Sequence, residues 1–275
     1  MSAKWQDWTD VPGFAFKDIL YEKRIRNAGG QIARITINRP KSLNAFTDET
    51  VKELQAAFDD ASNDRQVGMV VFTGAGDGSF CAGGDIKWEG VRTRAQFFMD
   101  DSPNRFLRMC RKPVMAVVKG YAIGGGNHLA YECDFTIAAE NAIFGQNGPR
   151  VASPADGYIV RYLVSVVGAK KAREMWMLCR RYNAQQALAM GLVNAVVPLD
   201  KIDAEVEQWA DELLGKSPDC IEILKATFES EIDEMAGSIR RYVVMMNPGF
   251  PLGPEVREAQ GAFWEKREPD FWKLR

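Results

Sequence analysis

The chain has 275 residues, 46% of them hydrophobic, and its 35 Lys and Arg nearly balance its 37 Asp and Glu, for a net charge of −2. That length fits one large domain or two small ones with a sizeable core, and the charge balance, with no long basic run, argues against an electrostatically driven nucleic-acid binder. Five scattered cysteines without a CxxC pair, and one histidine, argue against a disulfide framework and against a zinc site.

The N-terminal residues Met1 to Trp8 have no apolar signal core, and no segment is long enough to span a bilayer, so a soluble, reducing, cytoplasmic setting is expected. Whether residues 1–16 fold on the core or cover a neighbour is open at this point. Tyr21 to Ile37 reads as a hairpin turning at Ala28-Gly29-Gly30, and Pro40 stops it. Thr47 is the expected N-cap of a helix through Phe58, with Thr50 at the capping-box spacing but without the carboxylate. Val67 to Thr73, Val114 to Val118 and Phe135 to Ala138 are short apolar runs that read as buried strands. Lys170 to Arg180 and Ala184 to Met190 read as helices, Gly191 closes the second, and Val193 to Val197 reads as a strand. From Ile202 onward the pattern is helical, interrupted by a loop at Asn247 to Pro254. Strands and helices alternate up to Pro198, which predicts an α/β core with helices packed outside. No low-complexity linker separates it from the helical tail.

Two glycine-rich turns follow core strands. One is Phe80-Cys81-Ala82-Gly83-Gly84-Asp85-Ile86-Lys87; the other is Gly120 to Gly126, leading through Asn127 and His128 into a helix. Glycines let backbone approach a ligand closely, and the first turn of a helix leaves N–H groups unpaired, where negative charge is favoured. In α/β folds ligands gather beyond strand C-terminal ends. One N–H from each turn, converging on one oxygen, would stabilise an oxyanion or enolate. His128, one turn into the helix, suits proton transfer near neutral pH, and a helix N-terminus would hold it neutral.

These turns, together with Asn38 to Ala45, Ala187 to Asn194 and Ala262 to Arg267, resemble the crotonase (enoyl-CoA hydratase/isomerase) superfamily from about residue 18 to the C-terminus. The resemblance implies an α/β spiral of ββα units in residues 1–198, carrying the active site. It implies a helical region in residues 199–275 for oligomerisation and CoA cover, and a homotrimer or dimer of trimers. It implies an acyl-CoA thioester substrate whose carbonyl oxygen sits between the N–H groups of Gly84 and Gly125. Lys41, Leu43 and Ala45 are then expected to line the CoA groove. Ala82, Asp85, Ile86 and Lys87 lie along the CoA path, and Phe263 and Lys266 reach the CoA of a neighbouring subunit. No metal, and no cofactor beyond the CoA carried by the substrate, is implied.

Ordinary hydratases of the superfamily carry two glutamates; the matching positions here are His128 and Gly148. Ile143 to Val151, Lys170 to Trp176 and Cys179 to Ala184 are similar to the subgroup that makes or breaks a carbon–carbon bond beside the thioester. It includes 1,4-dihydroxy-2-naphthoyl-CoA synthase and 2-ketocyclohexanecarboxyl-CoA hydrolase. Ser153 and Tyr158 match polar site residues of that subgroup, but its catalytic aspartate falls on Ala155, with Asp156 one residue later. Asp156 has the spacing of the nucleophile of 4-chlorobenzoyl-CoA dehalogenase, whose ring-contacting tryptophan is Gly148 here. The expected activity is therefore making or opening a carbon–carbon bond in a cyclic acyl-CoA. Hydration of a bulky enoyl-CoA by His128 and Asp156 is the alternative, and a non-catalytic acyl-CoA binder is the rival from another class. A moonlighting RNA-binding relative would need a basic stripe, which is absent.

Each residue also has a plain structural explanation. His128 could be a packing histidine, Asp156 a turn former before Gly157, Ser153 a local hydrogen-bonder and Tyr158 a core residue. Trp88, Phe97, Phe98 and Phe106 are expected to pack under a loop or to wall a bulky acyl group. Cys81 and Cys110 are expected in the core. Arg111-Lys112 and Lys170-Lys171 are expected to be solvated.

Overall fold

A computed structural model describes residues 4–85, 104–153, 158–230, 232 and 253–274. The strands are β1 (Thr9–Asp10), β2 (Ile19–Ile25), β3 (Gln31–Ile37), β4 (Val67–Gly74), β5 (Ser79–Cys81) and β6 (Val114–Val118). They continue with β7 (Tyr121–Ile123), β8 (Phe135–Ala139), β9 (Ile143–Gly145), β10 (Arg181–Asn183) and β11 (Ala195–Val197). The helices are α1 (Asp48–Asn63), α2 (Asn104–Met109), α3 (Gly125–Glu132), α4 (Tyr158–Val167), α5 (Ala169–Leu178), α6 (Ala184–Ala189), α7 (Ile202–Leu214) and α8 (Pro254–Trp264). Helical backbone also runs over 218–230.

Two sheets carry the fold. The larger has the order β1-β2-β3-β4-β6-β8-β11, and the smaller β10-β9-β7-β5. The predicted hairpin forms, with Ile19 opposite Ile37 and Ile25 opposite Gln31. From β3 onward the larger sheet is parallel. The chain lays β4, β6 and β8 side by side in it, and after each one it places β5, β7 and β9 side by side in the smaller sheet. That repetition is the ββα spiral.

Alternation along the strands buries both faces of the larger sheet. Ala33, Ile35, Ile37, Val70, Phe72, Ala116 and Val118 face the smaller sheet and its helices. Ile32, Met69, Val71, Met115, Val117 and Ile137 face α7 through Ile202, Val206 and Ala210. A parallel sheet covered on both faces reads as continuous apolar runs, which is why these strands were visible in the sequence. Trp5 is buried in the α7 layer, and Phe14 stacks on Phe16 and meets Tyr21 edge-on, so residues 4–16 fold on the chain's own core.

Several sequence expectations are corrected. Helix α1 runs past Phe58 to Asn63, and Thr50 completes the capping box with its hydroxyl: Thr47 N–H donates to Thr50 Oγ1 at 3.0 Å. The helix expected over Lys170–Arg180 ends at Leu178, because Cys179 turns left-handed (φ 51°) and Arg181–Asn183 pairs with β9. The strand expected from Val193 begins at Ala195. Helix α4 goes beyond the sequence expectations although its buried Ile159, Leu163 and Val167 recur at helical spacing; the short strands β5, β7, β9 and β10 carry no periodic signal. Pro254, assigned to a loop, opens α8. Cys81 and Cys110 are buried as expected, Phe106 of α2 is buried in the core, and Trp88, Phe97 and Phe98 lie outside the described residues.

Lys112 is not solvated. It is buried, and its ammonium pairs with Glu222 at 2.6 Å. Lys225, 5% exposed at its side chain, donates to Asp134 Oδ2 at 2.7 Å and to the carbonyls of Leu107 and Lys112. These pairs fasten the helical stretch over 218–230 to the core.

Candidate active site

The first glycine-rich turn leaves β5 and is stitched to the segment after β3. Phe46 N–H donates to Gly83 O at 2.9 Å, Asp85 N–H to Phe46 O at 2.9 Å, and Ala82 N–H to Leu43 O at 3.1 Å. Asn44, fully buried, organises that segment. Its carboxamide donates to the carbonyls of Ser79 (2.6 Å) and Ala75 (3.0 Å) and accepts from Arg39 N–H (3.0 Å). The Arg39 guanidinium bonds the Ala45 carbonyl and pairs with Asp85 at 3.2 Å. In a parallel bridge of this kind the residue between the bonded groups points its own N–H the other way. Here that residue is Gly84, bridged to Phe46.

The second turn is β7 followed at once by α3. Gly124 N–H bonds the Gly145 carbonyl at 2.9 Å and its carbonyl receives His128 N–H at 3.1 Å, which starts the helix. The two turns are in backbone contact. A Cβ on Gly83 (φ +98°) would lie 3.0 Å from Gly125 N, and one on Gly126 would lie 1.8 Å from the Cys81 carbonyl oxygen. Only glycine permits this approach. Among the described residues, neither Gly84 N–H nor Gly125 N–H donates a hydrogen bond.

His128 lies on the first full turn of α3, half-buried. Its Nε2 is 3.1 Å from Gln146 Oε1, and the Trp176 and Tyr131 rings lie 5.2 and 5.8 Å away. Burial pushes its pKa down to about 4, while the bond to Gln146 opposes that shift. Burial therefore keeps the imidazole neutral at neutral pH.

Gly148, at the second glutamate position, lies in a 3-10 turn where an added Cβ would meet the Ser153 carbonyl at 2.5 Å and the Trp176 ring at 3.7 Å. Ser153 N–H donates to Gly148 O at 3.0 Å, so the turn closes on itself. Tyr158 opens α4, with the Arg108 guanidinium 5.1 Å from its ring centre. Burial and the nearby Glu132 carboxylate push its pKa up, so the phenol stays protonated. Asp156, Ile86 and Lys87 lie outside the described residues.

On the rim, Lys41 and Leu43 are exposed, Leu43 in the left-handed region (φ 51°), and Ala45 is buried. Ala82 is half-buried between them and the turn. Phe263 and Lys266 are exposed at the end of α8. Sequence reasoning gave no part to Gln146, Trp176 or Arg39. A buried glutamine after an apolar strand leaves no periodic trace, and only its distance to the histidine marks it.

Among the described residues no group of three His, Cys, Asp or Glu side chains forms a metal site, and no helix is long and apolar enough to cross a membrane. All five cysteines are free, four of them buried.

Residues 27–273 match the sequence pattern of the enoyl-CoA hydratase/isomerase family. An enoyl-CoA hydratase/isomerase from Xanthobacter autotrophicus Py2 is 29% identical, with 91% of this chain and 94% of that one covered and a TM-score of 0.79. An enoyl-CoA hydratase from Mycobacterium avium subsp. paratuberculosis K-10 is 28% identical, covering 94% and 99%, with a TM-score of 0.78. Methylmalonyl-CoA decarboxylase in complex with 2-nitronate-propionyl-CoA is 22% identical over 94% and 99%, with a TM-score of 0.82, a likeness of fold alone. With nine-tenths of its length matched and the ββα spiral in place, this chain belongs to the enoyl-CoA hydratase/isomerase family and is an acyl-CoA enzyme of the crotonase superfamily.

Proposed function

We propose that the Gly84 and Gly125 amides receive the carbonyl oxygen of an acyl-CoA thioester and stabilise the enolate that forms when charge moves onto it. The single observation that carries this reading is the pair of turns in backbone contact, each holding an N–H unclaimed by the described protein. Each such donor contributes a few kcal/mol, about 2.7–4 for a well-aimed one.

His128 is the proton-transfer group of this proposal. Its imidazole is neutral before reaction, so it can take a proton. The negative charge growing on the thioester oxygen then favours the imidazolium, offsetting the desolvation that holds the free ring neutral. Asp156, Ser153 and Tyr158 are the assisting groups, with Tyr158 a donor only. Lys41, Leu43, Ala45, Ala82, Asp85, Ile86 and Lys87 line the CoA path, and Phe263 and Lys266 serve a neighbouring subunit in a trimer or dimer of trimers. No cofactor beyond CoA enters.

The absence of carboxylates at positions 128 and 148 removes the paired-glutamate route to hydration. The favoured reaction is therefore making or hydrolytically opening a carbon–carbon bond beside the carbonyl of a cyclic acyl-CoA. Hydration of a bulky enoyl-CoA is the second reading, favoured by the relatives named hydratases at 28–29% identity. A panel of cyclic and linear enoyl- and β-ketoacyl-CoAs, read by mass change, separates them. Water gained with the ring opened means cleavage, and water gained with the ring intact means hydration. His128→Ala is expected to lower turnover about 10²–10⁴-fold with CoA binding kept. Unchanged turnover would remove His128 from the chemistry.

A further inference from the structure

Gln146 follows β9 with its side chain fully buried, and its Oε1 lies 3.1 Å from His128 Nε2. Its position is fixed from outside. The Arg181 guanidinium on β10 donates to the Gln146 backbone carbonyl and to Asn147 Oδ1. On the ring's other contacts, Trp176 and Tyr131 restrict the imidazole without offering it a hydrogen bond. Among the described residues, His128 Nδ1 has no hydrogen-bond partner, and neither does Gln146 Nε2. A buried amide donor left unpaired costs about 1–3 kcal/mol. The glutamine therefore brings one hydrogen bond to the histidine and one unpaired donor, so its net gain in stability is small.

We infer that Gln146 is a positioning residue that holds His128 in the Nε2–H tautomer, so that the Nδ1 lone pair is the base. This rests on the reading of His128 as the proton-transfer group. In neutral imidazole one nitrogen is a donor and the other an acceptor, and the partner of one decides the role of the other. With Oε1 accepting from Nε2–H, Nδ1 takes the proton: from the substrate's α-carbon when a carbon–carbon bond is made, or from the attacking water when one is opened. The electron pair goes into the enolate in the first case and into the new carbon–oxygen bond in the second, and the Nε2–H bond to Gln146 survives in the imidazolium. The opposite tautomer would present a hydrogen where the base needs a lone pair.

The chain's single histidine makes this directly testable. Protein labelled with ¹⁵N only in histidine gives one pair of ring nitrogens, with no assignment ambiguity. The expected spectrum near neutral pH shows Nε2 protonated and Nδ1 bare. Gln146→Met should give a mixture of tautomers, lower turnover about 10- to 100-fold with little change in KM, and shift the melting temperature by only a few degrees, since one unpaired group replaces another. Gln146→Glu keeps an acceptor of the same shape. It should keep the wild-type tautomer and raise the pKa of the ring, moving the acid limb of the pH–rate profile upward. If Gln146→Met does not fold, Gln146→Glu alone decides, through that tautomer and that pH shift. A bare Nε2 in the wild type, or one unchanged tautomer in Gln146→Met, would overturn the inference. Failure of the His128 reading looks different: full turnover by His128→Ala would sink the base, yet leave the tautomer as measured.

Discussion

Replacing His128 with Gln should change how folding stability depends on acid. An imidazole in the unfolded chain titrates near 6.5, whereas burial holds the folded ring at about 4. Between those values the unfolded chain binds a proton that the folded one refuses, so stability falls as pH drops through that window. At about pH 4.5 nearly every unfolded histidine is charged, against roughly one in four folded ones. From about pH 7.5 to 4.5 the loss is then about 2.5 kcal/mol, and about 2 kcal/mol allowing for the ring's partial exposure to water. His128→Gln cannot titrate, so it should escape this loss. Packing lost against Trp176 affects both pH values alike and cancels in the difference. Carboxylates titrate in both proteins and cancel too. Urea unfolding of the two proteins at the two pH values measures the quantity. Parallel stability–pH curves would refute the claim that burial keeps the ring neutral.

Two further substitutions test the frame around the site. Gly126→Ala would place a methyl 1.8 Å from the Cys81 carbonyl oxygen and force α3 away from β5, taking Gly125 N–H with it. The same change in an unconstrained helix favours folding by about 1 kcal/mol, so a lower melting temperature together with an approximately 100-fold loss of turnover is the expected signature; a stabilised, active variant would contradict the contact. Lys225→Met strands the Asp134 carboxylate beside a buried apolar group and should cost about 3–5 kcal/mol, or about 10 °C in melting temperature. A shift below about 3 °C in differential scanning calorimetry would show that the pair does not hold the helical stretch over 218–230 to the core.

Local signals explain what could be read along the chain. The strands β3, β4, β6 and β8 are dense in Val, Ile, Phe and Ala because both faces of their sheet are covered, and that pattern survives without knowledge of neighbours. The hairpin β2–β3 announced itself by its glycine turn, and α1 by Thr47. The two glycine-rich turns were legible because a backbone that must approach another backbone within van der Waals contact leaves no room for a side chain. The smaller sheet left no such trace. Its strands are three residues long, too short for any period, and they exist only because the larger sheet sets them side by side.

The sequence by itself determined that strands alternate with helices, that two glycine-rich turns follow core strands, and that one histidine stands beside one of them. It could not say that Gly83 touches Gly125, since 42 residues of chain separate them and only the stacking of successive spiral turns closes the gap. Nor could it pair His128 with Gln146 or bury Lys112 and Lys225, because hydrogen bonds between distant side chains depend on where the backbone delivers them. Charge and proton affinity at this site are set by desolvation, and desolvation belongs to the packed molecule, not to any stretch of its chain.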